Sequence, residues 1–232
     1  MIGRKGSLLL LAWSFLLGAS PSYATQAEGI SQKLQDLGWK QLLVGSAPTN
    51  EYRLLNDREI SVRSNDSVSI LYRELSFKEQ ATGTIAWKWR VDKTLPPTDP
   101  AQVGSDDREL AVHIWFENTK QAGLWKTIKQ SFINVLGYPS IGHVLTYTFG
   151  GTGERYRTLV NPHHAPDGQI IVLRPSGTEP GKWFTEIIDF AADFKSAFGT
   201  NSPMPKYIAI SADSDDTNSQ SYARIAHIEL RN

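Results

Sequence analysis

The chain has 232 residues, 40% hydrophobic and 21% charged, with 24 Lys and Arg against 24 Asp and Glu. Its basic residues are scattered among acidic ones, which excludes a nucleic-acid binder, because phosphate contacts need clustered Lys and Arg. It has no cysteine, so disulfides, thiol chemistry, cysteine metal sites and a lipidated cysteine are excluded, and stability must come from packing.

At the N-terminus, Arg4 and Lys5 precede an apolar run from Leu8 to Leu17, and Ser22-Tyr23-Ala24 follows with the small-x-small pattern of a leader peptidase site. The run is about half of the roughly 20 residues a membrane-spanning helix needs. Residues 1–24 are therefore expected to be a cleaved export signal, leaving a periplasmic or secreted protein with no transmembrane anchor. Residues 25–232 are expected to form one domain, with 22 basic residues against 24 acidic ones. Nothing in that balance recruits nucleic acid.

A short helix is expected over Ile30 to Leu37, where Ile30, Leu34 and Leu37 share a stripe and Gly38 ends it. From there the period changes to two. Strands are expected at Tyr52 to Leu55, Glu59 to Arg63 and Val68 to Leu75, separated by Asn56-Asp57 and Ser64-Asn65-Asp66. The clearest is Thr84 to Asp92. Ile85, Trp87, Trp89 and Val91 fall on one face and Ala86, Lys88, Arg90 and Asp92 on the other, which puts both tryptophans in a core.

Further strands follow at Glu109 to Glu117, His143 to Phe149, Tyr156 to Val160, Gln169 to Leu173, Trp183 to Asp189, Tyr207 to Ala212 and Tyr222 to Leu230. Helical periodicity returns at Gly123 to Leu136 and at Asp189 to Phe198, ended by Gly137 and Gly199. With helical crossovers mostly missing, the expected fold is mainly β, an antiparallel β-sandwich of jelly-roll type with two or three short peripheral helices.

Two acidic segments abut strand ends. Gly104-Ser105-Asp106-Asp107 leads into one strand, and Asp213-Ser214-Asp215-Asp216-Thr217-Asn218 follows another. Crowded carboxylates destabilise a loop unless it is solvated, turns the chain or meets a cation. Asp213, Asp215 and Asn218 could offer oxygens to calcium, although their spacing departs from the EF-hand form; an Asx-rich turn is the alternative. Six tryptophans follow the leader, and an exposed ring flanked by hydrogen-bonding groups suits a sugar. His113 and Trp115 fall on the less apolar face of their strand, and Trp183 opens a strand after Pro180-Gly181-Lys182. His163 and His164 read as surface residues of a turn. There is no G-x-S-x-G elbow and no phosphate-cradling glycine loop.

Several stretches, in this order, resemble the DUF3047 family of exported bacterial proteins of unknown function. They are Ala86-Trp87-Lys88-Trp89-Arg90, the Asp106-Asp107 pair before a strand ending in Phe116, Tyr147-x-Phe149, Gly181-Lys182-Trp183, and Ile210-Ser211-Ala212-Asp213-Ser214-Asp215-Asp216-Thr217. The resemblance implies export and supplies no activity.

The residues support three expectations. The first is a non-catalytic envelope protein binding a glycan or other polyhydroxylated ligand, with Asp106, Asp107, Asp213, Asp215, Asp216 and Asn218 as a polar rim and Trp115 or Trp183 as a platform. The second is a polysaccharide-active enzyme using two carboxylates, such as Asp107 and Asp215, as acid and base. The third is an interaction module that docks a partner through Leu124 and Phe132 of the helix near 123–136.

Overall fold

The computed structural model describes residues 30–117, 139 and 141–231. The expected leader and the expected helix over 123–136 lie outside the described residues. In chain order the strands are β1 (Lys40–Leu43), β2 (Glu51–Asn56), β3 (Glu59–Asn65), β4 (Val68–Glu74), β5 (Thr84–Lys93), β6 (Arg108–Phe116), β7 (Val144–Phe149), β8 (Thr158–Val160), β9 (Gly168–Arg174), β10 (Phe184–Asp189), β11 (Pro205–Asp213) and β12 (Gln220–Arg231). The described helices are α1 (Gln32–Asp36), α2 (Phe77–Gln80) and α3 (Phe190–Phe198). None is long and apolar enough to cross a membrane.

The strands form a sandwich of two sheets. One has seven strands in the order β1-β4-β11-β6-β7-β9-β8, and the other has five in the order β10-β5-β12-β3-β2. Every neighbouring pair is antiparallel except β7 with β9, which run parallel. Alternation decides which side chains meet between the layers. Trp87 and Trp89 of β5 point inward as expected and pack on Tyr147 and Phe149 of β7, with ring centroids 5.8 and 5.5 Å apart. Each ring of that size removes enough apolar surface to stabilise the fold by about 4–6 kcal/mol before entropy is charged against it.

One charge sits among these inward positions. Glu186 of β10 is buried and accepts hydrogen bonds from Trp89 Nε1 at 3.0 Å, Arg174 Nε at 2.6 Å and Arg155 Nη2 at 3.3 Å. Three donors satisfy a carboxylate that burial would otherwise penalise by several kcal/mol.

Helix α3 follows its sequence closely. The Asp189 carboxylate accepts from the Ala192 N–H at 2.9 Å, and Gly199 closes the helix at φ 72°, the left-handed conformation that glycine adopts without cost. Its buried Phe190 and Phe194 rest on Phe116 at the end of β6. Helix α2 was not anticipated, although Ser76 and Glu79 form a capping box at its start. Strand β1 was also unanticipated; it is a four-residue edge strand on β4.

The seven-stranded sheet departs from simple alternation. Every residue of β7, and every residue of β6 from Glu109 onward, is buried. At β6 and β7 the side turned away from the core is therefore buried as well, with Tyr72, Trp115, Val144 and Ala209 forming a second, smaller cluster.

Candidate functional site

Strand pairing brings the two acidic segments together. β6 begins at Arg108, β11 ends at Asp213, and the antiparallel register sets these two residues opposite each other. The loop entering β6 and the loop leaving β11 consequently meet at one end of the seven-stranded sheet. Carboxylate oxygens of Asp107, Asp213 and Asp215 come within 4.8 Å of one another there.

Asp107 is fully buried and knits the loops together. Its carboxylate accepts from the Asp216 N–H at 3.2 Å, the Thr217 N–H at 2.9 Å and the Thr217 hydroxyl, while its carbonyl accepts from the Thr98 hydroxyl. Asp106, also buried, donates its N–H to Asp216 Oδ2 at 3.2 Å. Its own Oδ2 lies 3.2 Å from Arg108 Nη1 and 3.0 Å from His163 Nε2. Arg108 reaches further, with Nη2 3.3 Å from Asp213 Oδ2.

Asp213 is 7% exposed, and its Oδ1 is buried with no hydrogen-bond donor. Burial pushes its carboxyl up to about 8, Arg108 opposes the shift, and Asp215 and Asp106 reinforce it. Burial also raises the Asp216 carboxyl. Neighbouring carboxylates add to the effect of burial in both.

Of the residues expected to bind calcium, Asp213 and Asp215 join this group. Asn218 is an exposed turn residue at φ 47°, a conformation that asparagine tolerates, and Asp107 supplies the third carboxylate. Sequence reasoning missed Arg108, Thr217 and His163. The Arg108 signal was its position directly after the acidic pair. His163 arrives from the turn between β8 and β9 and carries no local signal.

Trp115 does not face solvent. It is 2% exposed, tilted against Tyr72 at 5.6 Å and edge-on to Tyr207 at 6.2 Å, so it is enclosed by protein and offers no platform to a sugar. His113 beside it is buried between two hydroxyls, with Nδ1 3.0 Å from Thr146 Oγ1 and Nε2 2.8 Å from Ser211 Oγ. Burial, helped by the positive charge of Arg108, lowers the ring to about 3. This is a neutral structural histidine.

Trp183 is 39% exposed and lies one residue before β10 of the other sheet, where a strand beginning at Trp183 was expected. It directly precedes Phe184, whose partner is Trp89, so alternation turns it outward, on the side of Arg90. Arg224, registered opposite Arg90, lies 5.7 Å from the Trp183 ring. The next row on this outer face holds Asp92, Tyr222, Arg63 and Glu51. Asp92 accepts from Arg90 Nε and from Arg224 Nε; burial raises its carboxyl, but these bonds outweigh it and hold the group below its ordinary value. Arg63 sits over the Tyr222 ring at 4.9 Å. A groove of about 590 Å³ runs here, lined by Glu51, Arg63, Asn65, Asp92, Gln220 and Tyr222 among others. It adjoins a second hollow of about 760 Å³ through Pro48, Thr49 and Glu51.

A family model described as a protein of unknown function, DUF3047, matches residues 37–229. The chain belongs to that family. No curated protein matches it. Among solved structures, this DUF3047 member is similar to the xyloglucanase domain of NopAA, a type three effector from Sinorhizobium fredii, in complex with cellobiose, at 9% identity and TM-score 0.45, covering 83% of this chain and 92% of that one. It is also similar to a family 11 carbohydrate-binding module from Clostridium thermocellum, at 12% identity and TM-score 0.39, covering 83% and 87%. A family 12 xyloglucanase from Bacillus licheniformis matches at 8% identity and TM-score 0.42, covering 83% and 85%. Likeness of this degree leaves ligand and activity to be argued from the chain's own side chains.

Proposed function

We propose that this chain is an exported, non-catalytic β-sandwich that binds a polyhydroxylated ligand, a glycan of the cell envelope or its surroundings, along the outer face of the five-stranded sheet. One observation carries the reading. Two partly exposed rings, Trp183 and Tyr222, each lie beside an arginine on the outer sheet face, with Asp92, Asn65 and Gln220 lining the groove. Flat rings suit the apolar face of a sugar, and carboxylate, amide and guanidinium groups suit its hydroxyls. The two adjoining hollows favour an extended chain over a single sugar.

Carboxylate catalysis fits less well. Glycosidic acid and base groups flank a substrate about 5–10 Å apart across an open cleft. Here Asp107 and Asp213 are buried, and all three carboxylates gather within 4.8 Å. The expected rim of acidic loops around Trp115 or Trp183 is accordingly moved to the Tyr222 groove. Export rests on the N-terminal pattern alone, and N-terminal sequencing of the secreted or periplasmic protein should begin at Thr25.

Calorimetric titration of the mature protein with cello-, xylo- and mixed-linkage gluco-oligosaccharides and with envelope glycan fragments tests the binding reading. Binding weakened at least tenfold in both Trp183→Ala and Tyr222→Ala, with circular dichroism unchanged, is expected. No binding to any of these glycans would remove the proposal.

A further inference from the structure

Elsewhere in the molecule buried carboxylates find donors. Glu186 has three, and Asp107 has three on its side chain alone. Asp213 is different. Arg108 approaches its Oδ2, while Oδ1 is the one buried carboxylate oxygen among the described residues with no donor. A buried carboxylate oxygen with no donor is costly to ionise unless something positive meets it.

The neighbourhood makes the imbalance larger. Asp106, Asp107, Asp213, Asp215 and Asp216 meet at one end of the sheet, and Arg108 is the single lysine or arginine paired with them among the described residues. The oxygens of Asp107, Asp213 and Asp215 lie within 4.8 Å of one another. Two oxygens each about 2.4 Å from a common centre are separated by no more than about 4.8 Å, so the spacing matches ligands of one calcium-sized ion.

We propose that Asp107, Asp213 and Asp215 form a binding site for a hard divalent cation, calcium in preference to magnesium, that ties the loop before β6 to the loop after β11. Carboxylate oxygen is the donor that such ions select. Calcium accepts the irregular arrangement of two loops and a strand end, whereas magnesium requires near-ideal octahedral geometry. Asp107 and Asp213 are fixed by the strand ends, and the less buried Asp215 closes the site. The cation neutralises the charge that Arg108 cannot, and it satisfies the buried oxygen of Asp213. This site is separate from the glycan groove, although the loop it fastens runs directly into Gln220 and Tyr222. The proposal stands whether or not a glycan binds.

The experiment uses the mature protein stripped with a chelator, then titrated with calcium chloride or magnesium chloride while melting temperature and heat of binding are followed. Calcium is expected to raise the melting temperature and magnesium to do so less. In Asp215→Asn the calcium affinity should fall at least tenfold and the calcium-induced rise should vanish. The chelated variant should melt no lower than the chelated wild type, because removing one carboxylate relieves repulsion. That pairing separates a cation ligand from a merely structural residue, whose loss would lower the melting temperature with or without calcium. Absence of calcium binding to the wild type at millimolar concentration, or an unchanged calcium response in Asp215→Asn, would overturn the site. An equal response to magnesium would overturn its assignment to calcium.

Discussion

His113 offers a quantitative test of how the seven-stranded sheet is built. Its ring is buried between Thr146 and Ser211 and titrates near 3 in the folded protein against 6.5 ordinarily. The folded state thus refuses a proton that the unfolded chain accepts. Stability from this group is fully present above pH 6.5 and is lost as pH falls toward 3, because the unfolded state binds more protons throughout that window. At about 1.4 kcal/mol per pH unit, the loss is about 2 kcal/mol by pH 5 and about 4 kcal/mol at pH 3. His113→Gln keeps a donor and an acceptor for the two hydroxyls but cannot be protonated. Urea unfolding of both proteins at several pH values isolates the effect, since other titrating groups are shared. The stability of wild type minus that of His113→Gln should fall by about 2 kcal/mol between pH 7 and pH 5. A difference that stays constant would refute the neutral buried histidine.

Two further substitutions probe the core and the helix. Trp89→Phe keeps the apolar ring but removes the bond from Nε1 to Glu186, leaving Arg174 and Arg155 to hold the carboxylate; chemical denaturation should show a loss of about 1–3 kcal/mol. Asp189→Ala deletes the cap on the Ala192 N–H and should cost about 1 kcal/mol in the same assay, with no effect on the calcium response.

Much of the fold was legible because one face of most strands is half-wet. Thr84 to Asp92 alternates cleanly, and the inward placement of Trp87 and Trp89 follows from it. Asp189, Phe190, Phe194 and Gly199 likewise carry cap, stripe and terminator of α3 in one short segment. Alternation fails where both faces are dry. In β6 and β7 the outward residues are as buried as the inward ones, so Trp115 looked available when Tyr72 and Tyr207 already enclose it. The four residues of β1 are too few to show a period, and they gain strand structure only by pairing with β4.

The acidic site was half legible for a related reason. Each cluster was visible at a strand end, but their meeting depends on which strands are neighbours. The pairing of Arg108 with Asp213 across β6 and β11 is a long-range fact, and it converts two separate loops into one group. Periodicity gives faces, not neighbours. For the same reason Tyr222 and Arg63, which lie on different strands, could not be seen as a pair in the sequence.

The most direct test of the proposed function is amide and indole NMR shift mapping as an oligosaccharide is titrated into the mature protein. The account predicts that perturbations concentrate at Asn65, Asp92, Gln220, Tyr222 and the Trp183 indole, with the Trp115 indole unmoved. Perturbations confined to the seven-stranded sheet, or none with any saccharide, would contradict it.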